Sequence, residues 1–173
     1  MAQSGFLFLL NVLLPQATRI ATLECREIAG IQNCMRTIPT VDYPEAKRAV
    51  DLIVENAQQM QKAVVVAVAD CRGELIAFAR MDGAPVSSVI IAMNKAWTAA
   101  RMGKPTQEIG EKVRDPQKGH DIAYYGDPRI VGWGGGIPVW KNGDVAGAVA
   151  VSGLSSKEDS GLASLGANLI TQR

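Results

Sequence analysis

From Asp42 onward the apolar positions fall into blocks of two periods. Ala46, Ala49, Val50, Ile53, Val54 and Ala57 recur at helical spacing and form one stripe, with Lys47, Arg48, Asp51 and Glu55 off it. Asp42 is placed as an N-cap, Glu45 follows three residues later, and Pro44 lies early in the first turn, so a helix is predicted to open there. Ala63–Ala69 is a short run rich in β-branched residues and reads as a buried strand. Asp70-Cys71-Arg72-Gly73 is a turn by its Asp and Gly, and Glu74–Arg80 returns as the second strand of an antiparallel hairpin.

Val86, Val89, Ile90, Met93, Ala96, Trp97 and Ala100 then predict a core helix. A second stripe on it, Ile91, Lys95 and Thr98, is partly polar: it either lines a pocket or leaves Lys95 in solvent. Gly103 and Pro105 end this helix, and a short one is expected from Thr106 to about Val113. Asp115–Gly136 has no period but holds Tyr124, Tyr125, Ile130, Val131 and Trp133, too apolar for disorder, so it is expected to be an ordered loop. Asn142-Gly143 between Ile137–Trp140 and Val145–Ser152 marks a second hairpin, and Ser155 with Glu158 is a capping box for a last helix. Helix, hairpin, helix, loop, hairpin, helix is the order of an α+β domain with an antiparallel sheet.

Residues 1–40 read as an N-terminal extension, and 41–173 as the main domain. The extension carries FLFLLNVLL, Phe6–Leu14. Nine residues cannot cross ~30 Å of hydrocarbon, so no membrane span is expected. The first basic residue, Arg19, follows the run, which fits a secretory signal poorly without excluding secretion. An apolar arm packing on another subunit is one reading of it, and makes a homo-oligomer the expectation.

Charge narrows the function. Eighteen Lys and Arg face seventeen Asp and Glu, net +1, without the basic excess of a nucleic-acid binder. Cys25, Cys34 and Cys71 form neither a disulfide framework nor a zinc quartet, and fit a reducing cytoplasm. One histidine, His120, removes every mechanism that needs two imidazoles. Gly132–Gly136 lacks the Lys-Ser/Thr of a phosphate loop and precedes a strand, so Gly134, Gly135 and Gly136 are read as allowing close backbone approach, to a ligand or to another element.

The chemistry concentrates in one loop. His120, Asp121, Tyr124, Tyr125, Asp127 and Arg129 bring an imidazole, two carboxylates, two phenols and a guanidinium together in ten residues. Imidazole and phenol can ligate iron or move protons, and Arg129 can grip a carboxylate. The bland reading is a structural loop in which Asp127 makes an Asx-turn and Arg129 pairs with a nearby acid. No Gly-x-Ser-x-Gly elbow is present and no cysteine has a local histidine partner, which argues against nucleophilic hydrolase chemistry.

Taken together, AVVVAVADCRGELIAFARMDGA, NKAWTAA, GGGIPVWKNGDVAGAVAVSG and SSKED resemble the GlcG/HbpS family over roughly residues 41–170, in that family's order and spacing. The family includes haem-binding proteins and the C-terminal domain of PduO-type proteins. The resemblance implies a five-stranded antiparallel sheet with helices, a profilin-like two-layer domain whose fifth strand would lie near Arg129–Trp133. It also implies oligomers, and haem or small-metabolite binding in some members, without one common activity. The GHDIAYYGDPRIVGWGGG loop is similar to that of members lying near catabolic enzymes. The extension has no counterpart, and the family's Asp-Ala-Gly-Gly turn is Asp-Cys-Arg-Gly here. Two classes of function follow. One is a small-molecule binding protein with haem as a possible ligand. The other is an enzyme on a small carboxylated or oxygenated metabolite, such as one from aromatic catabolism. In it His120, Tyr124 or Asp127 would move protons and Arg80, Lys95 or Arg129 would hold the carboxylate. Thr98 and Tyr125 complete the expected lining.

Overall fold

The computed structural model describes residues 37–171. The apolar run Phe6–Leu14, its expected role in assembly, and Cys25 and Cys34 lie outside the described residues.

The main domain runs α1 (Tyr43–Gln59), β1 (Val65–Asp70), β2 (Leu75–Arg80), α2 (Ser88–Met102), α3 (Thr106–Val113), β3 (Gly136–Lys141), β4 (Asp144–Ser152) and α4 (Ser156–Thr171). A single 3-10 turn, Ile122–Tyr125, interrupts the loop between α3 and β3. The capping box of α1 is formed: the Glu45 amide donates to Asp42 Oδ1 at 2.8 Å, and the Asp42 amide donates to Glu45 Oε2 at 3.0 Å. At the second hairpin both Asn142 and Gly143 take positive φ, as its two-residue turn requires.

The sheet order is β2-β1-β4-β3, every neighbour antiparallel. Two expectations are corrected. Among the described residues the sheet has four strands, not five, because Arg129–Trp133 sends its backbone groups to side chains instead of to a strand. The Thr98 hydroxyl bonds Arg129 C=O and Val131 N–H, and Arg114 donates to Gly132 C=O. The layers number three, not two. Val64, Val66 and Val68 pack with α1 and α4 on one face, whereas Val65, Ala67 and Ala69 pack with α2 on the other. The period of two along β1 makes both faces apolar, so each needs a helical cover.

The two faces differ in size. Valines meet α1 and α4, while alanines (Ala67, Ala69, Ala148, Ala150) meet Ala92, Ala96, Ala99 and Ala100 of α2. Small residues on both sides bring α2 close to the sheet. The expected stripe is buried at Ala96, Trp97 and Ala100 but not at its start, where Val86, which precedes the helix, is 71% exposed and Ile90 is 54% exposed, whereas Lys95 is 2% exposed. The partly polar second stripe faces inward.

Candidate functional site

The site starts where β4 ends. Ala148 and Ala150 face α2, and the alternation that puts them there also aims Ser152, the last residue of β4, at the same side. Beyond it, Gly153–Ser155 carries the chain past the end of this central strand into α4, whose first turn meets α2 through Asp159. There the Lys95 ammonium donates to Asp159 Oδ2 at 2.8 Å and to Val151 C=O at 3.0 Å. Asp159 Oδ1 accepts from the Leu154 amide at 3.1 Å. Both side chains are 3% exposed. This pair joins helices from opposite faces of the sheet.

Burial of the pair works against its charges. Desolvation lowers the Lys95 pKa from its usual value, with the Asp159 hydrogen bond and charge opposing it; desolvation raises Asp159, with Lys95 opposing. The proton between them is therefore held less firmly on nitrogen than in a surface pair.

The pair is the floor of a cavity of about 320 Å³. Ile91 and Trp133 supply apolar wall. Ser87 and Ser88 at the start of α2, Ser152, and Ser156 at the start of α4 supply hydroxyls. Four serine side chains thus line one cavity that also holds a lysine, an arrangement that favours an oxygen-rich ligand.

The glycine run shapes this wall. A Cβ on Gly135 would lie 2.6 Å from the Val151 carbonyl oxygen and 2.8 Å from Lys95 Nζ, and Gly135 has φ +120. A Cβ on Gly136 would lie 2.6 Å from Lys95 C=O, and one on Gly134 2.6 Å from Gln107 Oε1. These glycines let the start of β3 approach α2, α3 and the buried lysine. Thr106, fully buried, fixes the same stretch: its hydroxyl donates to Trp133 C=O at 2.6 Å and accepts from the Gly136 amide at 2.9 Å.

The chemically rich loop lies elsewhere. Asp127 grips Arg129 through both oxygens, at 3.0 Å to Nε and 2.8 Å to Nη2, and the side-chain bonds from Arg129 hold the carboxyl down at about 2. The Arg129 guanidinium lies 4.1 Å from the Trp97 ring centroid, with Arg101 at 4.8 Å. The Trp97 indole N–H is buried without a hydrogen-bond partner. His120 sits edge-on to Tyr125, ring centroids 5.3 Å apart, and Tyr124 is 82% exposed. None of His120, Tyr124, Tyr125, Asp127 and Arg129 lines the Lys95 cavity. The Thr98 hydroxyl is used by the loop backbone. Arg80 shares a sheet rung with Val65 and Ser152, which places it roughly 10 Å from Ser152 at two strand spacings. Of the residues expected from sequence, Lys95 alone lines the cavity, and Gly135 lies against its ammonium without lining it. Asp159, Ser152 and Trp133 were missed. Asp159 stands one residue past Glu158 of the visible capping box, and nothing local distinguishes it from a solvated helix-start carboxylate.

A second cavity, about 350 Å³, lies on the far side of Trp133 and is lined by Val113, Ile122, Ile130 and Val131 with Arg114. Ile122 and Ile130 also line a third of about 350 Å³, with Ala123 and Pro128. No helix among the described residues is long and apolar enough to cross a membrane.

This α+β domain, with its open antiparallel sheet, defines a class that known proteins share. Residues 41–168 match the family model for haem degrading protein HbpS-like, and the chain belongs to that family. It is 35% identical over 127 residues to an uncharacterized 15.0 kDa protein from the dhaT-dhaS intergenic region of Citrobacter freundii, covering 73% of this chain and 89% of the relative. Klebsiella pneumoniae protein ORFY is similar in structure, with TM-score 0.77 and 32% identity over 82% of this chain and 98% of its own. A PduOC:heme complex gives TM-score 0.70 and 28% identity, covering 75% and 94%.

Proposed function

We propose that the protein binds a small carboxylated or oxygenated metabolite in the Lys95 cavity. The observation that carries this reading is a lysine, almost fully buried, at the floor of a cavity lined by four serines. A lysine kept solely for stability gains little from such a cavity, since a hydrophobic replacement of a buried ion pair is often as stable. The cavity volume of about 320 Å³ is ample for a small metabolite, with Trp133 and Ile91 beside its carbon skeleton. Titration with glycolate or pyruvate, followed by Trp133 fluorescence, should saturate. Ile91→Trp, which fills the mouth without touching the ion pair, should weaken binding by about tenfold, near 1.4 kcal/mol. Unsaturable quenching that is the same in both proteins would refute the reading.

Haem is the second reading, favoured by the haem complex of the similar PduOC domain. The Lys95 cavity does not suit a macrocycle: its lining is rich in serines and charge, and its lysine is already engaged by Asp159. The face formed by Val113, Ile122, Ile130 and Pro128 suits one better. His120, two residues from Ile122, would supply a nitrogen to hold the group there, and Arg114 a cation for its carboxylate side chains. Haem supplies redox or oxygen chemistry when bound; the chain's own part is to hold and orient it. Titration should then give a Soret band that His120→Ala abolishes. A homo-oligomer belongs to the same proposal, supported by Leu75 and Phe78 exposed on the edge strand β2. Light scattering should give a mass above that of the 18.4 kDa chain.

A further inference from the structure

We propose that Lys95 is a carbonyl-capturing nucleophile: its ε-amine condenses with a small aldehyde or 2-oxo acid in the cavity to an imine, with Asp159 carrying the protons. The inference rests on the small-ligand reading and names a reactive class within it.

An amine attacks a carbonyl only through its lone pair, and a solvated lysine keeps that pair protonated at neutral pH. Lys95 differs in three respects. Its side chain is 3% exposed, so water does not stabilise the ammonium. The base that can take its proton, Asp159 Oδ2, is 2.8 Å away and itself lies in a desolvated position that favours the neutral acid. Lys95 also lines an open cavity, beside the Asp159 that it bonds. The Asp159 carboxyl is kept in place by the Leu154 amide on its other oxygen, so it can accept and return a proton without moving.

The step balances with these two groups and the carbonyl compound alone. The ammonium gives one proton to Asp159, and rotation about Cε–Nζ turns the lone pair to the cavity. The N–C bond forms as the carbonyl π pair moves to oxygen. Asp159 protonates that oxygen, then takes a proton from nitrogen, leaving a neutral carbinolamine. Asp159 next protonates the hydroxyl, which leaves as water, and the nitrogen lone pair closes the C=N bond. The products are a protonated imine, one water and the original Asp159 carboxylate. A 2-oxo acid would place its carboxylate at the serines, which sets its carbonyl carbon toward Nζ.

A lysine that only bridges α2 and α4 would show none of this, so covalent trapping separates the two roles. Wild-type protein is incubated with pyruvate and sodium borohydride at neutral pH, and the reduced adduct is mapped by peptide mass spectrometry. Lys95 should be modified about tenfold faster than the exposed lysines, such as Lys47. Asp159→Asn, checked for folding by circular dichroism, should lose that preference. Pyruvate that binds by fluorescence while Lys95 stays unmodified overturns the capture and leaves the binding reading standing. Neither binding nor modification overturns both.

Discussion

The cavity at the end of β4 and the loop before β3 are built by opposite means. The cavity takes its two charged groups from residues 64 apart in sequence, on different helices, and buries them. The loop packs an imidazole, phenols, carboxylates and a guanidinium into ten residues, then turns them outward to bond one another. Its inward surface is backbone, pinned by Thr98, Thr106 and Arg114. Density of reactive residue types along the chain thus does not mark where charged groups are desolvated. Desolvation comes from the sheet and its helices.

The comparison sets an order of expected effects. The largest belongs to the buried pair. Asp159→Ala leaves an unpaired ammonium inside the protein and should cost about 3–5 kcal/mol in urea unfolding. The double change Lys95→Met with Asp159→Leu should recover most of that, because no buried charge remains. If the single variant unfolds like wild type, the pair is not desolvated as described.

Thr106→Val comes next. It keeps the volume but strands the Gly136 amide and removes the bond to Trp133 C=O, at about 1–3 kcal/mol for a buried group left unsatisfied. Because it loosens the cavity wall at Trp133, it should also weaken ligand binding, which calorimetry on the folded variant would measure. His120→Ala should change unfolding free energy by less than about 0.5 kcal/mol, since the ring is only half-buried and leans on Tyr125. A larger loss would give the loop a packing role that the geometry does not show.

The smallest effect is a pH effect. Asp127 titrates at about 2 instead of 3.8, so its contribution is present above 3.8 and is lost as pH falls through about 2. Carboxyl chemical shifts through that range should report it, together with a change in Trp97 fluorescence as Arg129 is released from its clamp. Titration of Asp127 at the ordinary carboxylate value would show the clamp open in solution.

Much of the fold was legible from local signals. The α1 capping box, the Asn142-Gly143 turn and the valine-rich β1 each act within a few residues, and the structure forms all three. The errors share a cause in tertiary packing. Hydrophobicity along α2 predicts a stripe that the structure keeps at Ala96, Trp97 and Ala100 and loses at Val86 and Ile90. The sheet selects the small face that Ala92, Ala96 and Ala99 present to alanines, and Lys95 is carried in with it. A fifth strand was lost because Thr98, a residue of another helix, satisfied the backbone that would have formed it. For the site, Lys95 was visible as a polar position on an inward stripe. Asp159 was not, because its partner lies in a distant element and a carboxylate in the first turn of a helix is ordinary.

Where a ligand perturbs the protein decides between the two regions. Amide 1H–15N spectra recorded through a glycolate titration report both at once. Binding in the buried-lysine cavity should shift Gly135, Ser152, Gly153 and Leu154 along one saturating curve while the amides of residues 119–130 stay in place. Shifts confined to residues 119–130, with Gly135 and Ser152 unmoved, would contradict it and return the site to the loop.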